Sequence, residues 1–461
     1  MTVPAFPLAE GFGSTTTHGR GGSVIRVTNL NESGIGSFRA ACEASGPRIV
    51  VFDVSGTIVH ALKPLTIKNP GLYVAGMTSP GGICFAGEEI RWQTHDGCMR
   101  YVRIRTGDKD DPDGGWDNRD CMNTGSPNDV GGATTYNNIW DHLSVSWSVD
   151  ENFTIWYLSH DCTLSNSITA EGLDHSFHTT KTPPFDRVRH SMALLCGIEA
   201  HRLSIVKNYL GDCNQRNMQI AGDLGLHLTD PSWSGTRELS LIDFRYNFIF
   251  NPGQEAYAIE HLGNRANIVG NNWRFGPNSK IEAPRLQCIR IASDANDAQI
   301  YIDGNIDPSN PDGSGDNWNM VRDDNGNTVP TLGHRLGSPL SAPAITPVAA
   351  KDVPAYVYAN AGCRAPFQDS ADRRVLGQSQ RACWNSSSNL FVDSTDDVGG
   401  WPDLSGGSPP LDTNADGVPD AYASAHGFSV NTKIDDVISD DLKYTWIERW
   451  HHVLAGDAGA S

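Results

Sequence analysis

Positive charge is scarce in this chain of 461 residues: 35 Lys and Arg face 54 Asp and Glu, for a formal net charge of −19 at pH 7. Binding to nucleic acid without regard to sequence, or to an anionic membrane, needs the opposite surplus, so both are excluded. The ten cysteines include no CxxC pair, which excludes a zinc ribbon and a thioredoxin-like redox motif. An even count permits disulfides without implying any in a chain this long. No run of about 20 apolar residues occurs, so no transmembrane helix is expected. The first thirty residues hold no basic start followed by an apolar stretch. The expectation is a soluble protein that is secreted after loss of a leader, or one released within a phage particle.

Long amphipathic helical periods are also missing. Glycine is plentiful at 47, and only 38% of residues are hydrophobic, which favours many short strands joined by tight turns. Such runs recur from Ile49 to about Phe275: Ile49 to Val54, Leu65 to Ala75, Met99 to Arg105, Asn138 to Trp147, Arg202 to Leu210, Leu239 to Phe250 and Asn267 to Trp273. Several hold an Asn between two apolar stretches, and Asn208, Asn247 and Asn271 stand 39 and 24 residues apart. That spacing suits β-solenoid coils of roughly 20 to 25 residues, the longer step being a coil with a loop. A β-sandwich or propeller also shows short strands between turns, and periodicity alone leaves these open. In a solenoid the repeated Asn has a physical reason, because a side-chain amide can satisfy buried backbone groups that the strand ladder leaves over at a sharp turn. The chain is therefore divided into a solenoid over residues 1–336, an irregular Pro-, Ala-, Ser- and Gly-rich strap over 337–407, and a tail over 408–461.

In that tail, Asp412, Asn414, Asp416, Gly417 and Asp420 reproduce the first part of an EF-hand-type loop, with oxygen ligands at alternate positions, a glycine for the sharp turn and an acid at the ninth position. The twelfth position, where a bidentate Glu usually sits, is Ala423. The four polar residues are candidate ligands of a structural Ca2+.

A series of blocks resembles the pectate lyases, polysaccharide lyase family one. In order they are Glu10 to Gly13, Gly19 to Gly22, Val27 to Leu30, Gly34 to Arg39, Gly46 to Ile58, Arg100 to Arg105 and Asp141 to Glu151. The likeness runs to about Phe275 and resumes at the tail loop, which itself is similar to thrombospondin type 3 loops. It implies an all-β, right-handed, single-stranded parallel β-helix and a calcium-assisted β-elimination that breaks an acidic, uronate-containing polysaccharide, with polygalacturonate the family default. An acidic enzyme on an acidic polymer needs a locally basic cleft, a divalent cation, or both.

The resemblance also implies site residues. The stretch Asn208 to Asn217 is similar to the family segment that ends in its catalytic arginine, which places Arg216 as the base. Asp129 stands twelve residues before Asp141, the separation at which the family has a ligand Asp, and Asp120 is its rival in an Asp-rich loop. Asp150 resembles the acidic ligand of the next coil, with Glu151 beside it, while a third acidic position is Thr154. Asp141 and His142 are read as orienting a coil turn. Where many lyases carry a lysine for the substrate carboxylate this chain has Met192, and Lys181 and Arg189, with His178 and His190, are the candidate substrate contacts. The partner expected is the polysaccharide alone, for a monomer. The alternatives are a β-helical glycan receptor or a phage tailspike, which would be a trimer, and a hydrolytic β-helix enzyme built on paired carboxylates.

Overall fold

The computed structural model describes residues 3–61, 63–108, 119–126, 135–180, 186–222, 240–279, 288–381, 383–384, 388–441 and 443–457. Among them, short strands stack into three sheets of ten, nine and eight, with neighbours parallel. Each sheet gains one strand per coil: Tyr136–Asp141, His160–Ser165, His201–Val206, Ser240–Arg245 and Asn264–Val269 are successive neighbours in the ten-strand sheet. The chain is a right-handed parallel β-helix, the sense that right-twisted strands favour for parallel crossovers.

The long runs read from the sequence each hold two strands and a corner. Asn138 to Trp147 breaks between Tyr136–Asp141 and Ser144–Ser146 at His142, with φ 55°, and Arg202 to Leu210 breaks at Lys207, with φ 61°. Left-handed backbone costs a non-glycine residue about 1–2 kcal/mol, so the corner must be held by something else. The next residue holds it. Buried Asn208 donates from Nδ2 to the Leu164 carbonyl and to Asn247 Oδ1, both at 3.0 Å. Asn247 repeats this toward Ile205 and Asn271 at 2.8 and 3.1 Å, and the ladder continues through Asn305 and Asn317. Sequence spacing identified the first three rungs of this ladder.

The segment after the solenoid crosses the eight-strand sheet and is less irregular than its composition suggests, for it carries the helices Val353–Asn360 and Ser370–Ser379. The first of these has no broad apolar stripe to announce it, since Val353 and Val357 are its buried residues. Arg105, buried, meets Asp369 at 2.6 Å and Asp372 at 2.8 Å, and Arg103 meets Asp369 at 2.8 Å. The tail packs on the ten-strand sheet, where Ile49, Val51 and Tyr73 join Val418, Ile434 and Ile447 in one apolar cluster. Arg100 lies between Asp141 at 3.0 Å and Asp457 at 2.9 Å. All ten cysteines are unpaired, nine of them buried. No helix of the described residues is long and apolar enough to cross a membrane.

Candidate active site

The nine-strand sheet presents the candidate site. Its strands Met122–Thr124, Glu151–Ile155, Met192–Gly197, Met218–Ala221 and Tyr257–Glu260 lie side by side. Met122, Phe153, Leu194 and Met218 are fully buried in the core, which fixes the strand starts, and the polar residues just ahead of them are thereby gathered along one corner of the solenoid.

Asp120 comes first. Its Oδ1 accepts the Glu151 amide at 3.1 Å, and its Oδ2 accepts Asn123 Nδ2 at 2.9 Å and the Thr154 hydroxyl at 3.3 Å. Asp120, Asp150 and Glu151 each bring a carboxylate oxygen within 4.8 Å of the others. Burial, and then the charges of Asp150 and Glu89, push the Asp120 carboxyl well above its usual range. Three acids at one place, two of them buried, are an arrangement that favours a cation.

Asp150 behaves differently. Burial opposes its ionisation, but the hydrogen bond and charge of His190, helped by His178 and Arg216, outweigh it and hold the carboxyl below the usual range. His190 Nε2 sits 2.5 Å from Asp150 Oδ1, and His178 lies flat on His190 with centroids 3.6 Å apart and planes 5° from parallel. Asp150, His178 and His190 thus form a second group whose ligand atoms lie within 4.8 Å of one another.

Arg216 pairs with Glu151. It reaches there because it occupies a left-handed corner, φ 47°, where its carbonyl accepts the Ala193 and Leu194 amides at 3.2 and 2.9 Å. Its side chain remains 28% exposed while that of Glu151 is 3% exposed, so the guanidinium borders solvent and the carboxylate does not. Met192 is in register with Glu151 and bridges to Gln215, so the place of the expected lysine is a buried methionine between the acid and the arginine.

Not every candidate converges. Arg189 pairs with Asp174 at 2.9 Å and lies over the Phe391 ring at 5.4 Å. Asp129 and Lys181 lie outside the described residues. Asp141 is buried and takes Arg100, His142, Ser165 and Asn166 as partners, an orienting role at a coil corner. In the tail, Asp412 pairs with Arg26 and accepts the Gly417 amide at 2.8 Å, Asn414 accepts the Asp416 amide at 3.0 Å, and Asp416 accepts the Val418 and Ile434 amides at 2.9 and 2.8 Å. Asp420 accepts Thr413. The rank of Asp120 was the signal underweighted in the sequence. Met122 pairs with Phe153, an offset of 31 that carries residue 120 onto Glu151.

No family model matches the chain. The probable pectate lyase C of Aspergillus fumigatus is 30% identical over 456 residues, spanning 98% of this chain and 93% of that protein. The probable pectate lyase C of Emericella nidulans is 28% identical over 462 residues, spanning 99% and 94%. Among solved structures, a pectate lyase bound to a hexasaccharide aligns with a TM-score of 0.51 at 11% identity over 79% of this chain and 98% of that one, and shares its fold. With that identity sustained over nearly the whole of both chains, on the same β-helical architecture, this chain belongs to the pectate lyase family of polysaccharide lyases.

Proposed function

We infer that the protein cleaves pectate by β-elimination, with Arg216 as the base at C5 and a calcium ion held by Asp120, Asp150 and Glu151. The observation that carries this is the meeting of Arg216 with the buried acid Glu151 beside two more carboxylates on the neighbouring coils. The donor set fits calcium, a hard cation that takes carboxylate oxygens, and the Asp120 carboxyl is raised by burial and then by the neighbouring acids Asp150 and Glu89. When bound, calcium withdraws charge from the uronate carboxylate and so acidifies the adjacent C5–H.

The residues of the chain do the rest. Glu151, if it gave oxygens to a bound calcium, would leave Arg216 free to face the substrate. Arg216, as the neutral guanidine, takes the C5 proton; the C–H electron pair becomes the C4–C5 double bond, the C4–O bond breaks, and the departing oxygen is protonated from solvent. Asp150 keeps Oδ1 on His190 and has Oδ2 for the ion, and the His178–His190 stack borders the uronate path. Lys181 and Arg189 are second-rank candidates for substrate carboxylates, Arg189 only by leaving Asp174. Asp129 is displaced by Asp120 in this reading. We also read the tail residues Asp412, Asn414, Asp416 and Asp420 as a structural calcium loop. Its turn supports this, with Asp412 and Asn414 oxygens both accepting from the Asp416 amide, although Arg26 competes for Asp412. The enzyme is read as secreted.

The test is ultraviolet absorbance of unsaturated product from polygalacturonate, with calcium and with excess chelator. Product that forms equally in chelator would remove the metal from the reading. Binding without product would make the protein a glycan receptor.

A further inference from the structure

Around the corner from the acids, toward the N-terminal end of the solenoid, lies a cavity of about 320 Å³ lined by Val59, His60, Ala86, Glu88, Arg119 and Trp401 among others. Its size falls in the range of small-molecule sites, about 300–1,000 Å³. Trp401 comes from the segment after the solenoid and is firmly placed: its Nε1 donates to the Arg105 carbonyl at 2.8 Å, and its ring meets Trp147 edge to face at 5.9 Å. Arg119 directly precedes Asp120, and its carbonyl accepts the Val149 and Asp150 amides at 3.2 and 3.1 Å. The cavity and the acidic site therefore share a rigid wall.

We propose that this cavity is a distal subsite that takes one uronate residue of the polymer, with Arg119 meeting its carboxylate and Trp401 its apolar ring surface. The proposal rests on the pectate lyase reading and extends it to chain length. Arg119 and Arg216 lie three coils apart, since Glu151 and Met192 fall on the coils between, which is roughly 14 Å at about 4.8 Å per coil. Ala86 and Val59 lie one and two coils further, on neighbouring strands. A sugar at Arg216 and a sugar in the cavity must then belong to one chain several residues long. An aromatic ring offers large apolar area at low conformational cost, and a guanidinium has five donors to share, a pairing suited to a ring with one apolar face and one carboxylate.

The experiment uses the full-length protein in calcium buffer and measures kcat/KM and equilibrium binding on galacturonate oligomers from dimer to octamer. Wild type should gain steeply in kcat/KM once the oligomer spans both places. Trp401→Ala should reduce the long-to-short ratio about three- to tenfold, the scale of a lost aromatic contact. Because Trp401 also packs on Trp147, Val59 at the rim, 47% exposed, supplies a second variant pair. Val59→Glu should lower that ratio and Val59→Lys should raise it, an opposition of sign that a general structural defect does not produce. Equal proportional loss on short and long oligomers, or the same sign of change in both Val59 variants, would overturn the subsite while leaving the lyase reading intact. A wild type that neither cleaves nor binds any oligomer would overturn both.

Discussion

Arg216→Ala separates the roles of this residue because it should harm catalysis and help the metal at once. In the structure the guanidinium is paired with Glu151, a carboxylate of the proposed calcium site. Loss of a general base removes about 10²- to 10⁴-fold in rate. The metal effect follows from charge. Two unit charges 4 Å apart in water interact by about 1 kcal/mol; a dication next to a guanidinium would feel about twice that, so removing Arg216 should tighten calcium binding by roughly 30-fold, and by more in a less polar surrounding. In chelator the variant leaves Glu151 beside Asp120 and Asp150 without its cation, and its melting temperature should drop below wild type, then recover on adding calcium. Isothermal titration with calcium, product absorbance at saturating calcium and thermal melts with and without chelator measure the three effects. A folded variant with near wild-type turnover removes Arg216 from the chemistry. Calcium affinity that is unchanged or weaker shows that Glu151 is not a ligand.

Acid should loosen the tail: burial, then nearby Arg20, Arg100 and neighbouring histidines, hold His18, His451 and His452 at about 3. Glu448, Tyr73, Asp441 and Arg449 also face this group. Because these values lie below the ordinary 6.5, the unfolded chain takes up protons first, so stability is level above pH 6.5 and falls from there toward pH 3; melting curves from pH 7.5 to 4 should show it, and a flat profile would contradict the burial. Arg105→Ala should cost about 3–5 kcal/mol in urea unfolding, since it leaves buried Asp372 without its arginine and Asp369 with Arg103 alone. Met192→Lys should weaken calcium binding measured by titration, because the ammonium would stand in register with Glu151. Asp416→Ala should lower the melting temperature of the tail and leave the rate of product formation on polygalacturonate unaltered, since its carboxylate serves the Val418 and Ile434 amides there; an equal loss of catalysis would mean the two acidic sets are misassigned.

How much could be read from the sequence depended on whether the deciding interaction repeats. Asn208, Asn247 and Asn271 repeat once per coil, so their spacing suited a solenoid while leaving a sandwich or propeller open, and the order of blocks from Glu10 to Glu151 pointed to the family and its β-helix. The corners at His142 and Lys207 were invisible because any residue type can be forced left-handed when the next one is anchored. Asp120 was legible only as a rival to Asp129, for ranking them requires the coil register that pairs Met122 with Phe153. The partner of Arg189 was hidden for a different reason: a cation near the site in sequence is paired with Asp174 in space. The strap helix Ser370–Ser379 escaped because its start is capped by Asp369, which is held by Arg105 from another part of the chain, and Val353–Asn360 because it buries too few residues to show a stripe.

The buried arginines of the early coils also set an order in time. Arg100, Arg103 and Arg105 find their carboxylates at Asp457, Asp369 and Asp372, hundreds of residues later in synthesis. Until those residues emerge, Arg103 and Arg105 lack their carboxylates and Arg100 has Asp141 alone, so the outer faces of two sheets stay uncovered. Coils can stack as they are made, since their rungs are local, but the finished molecule waits for its last segment. The C-terminal residues thus act as the final fastening of a structure whose spine was wound long before them.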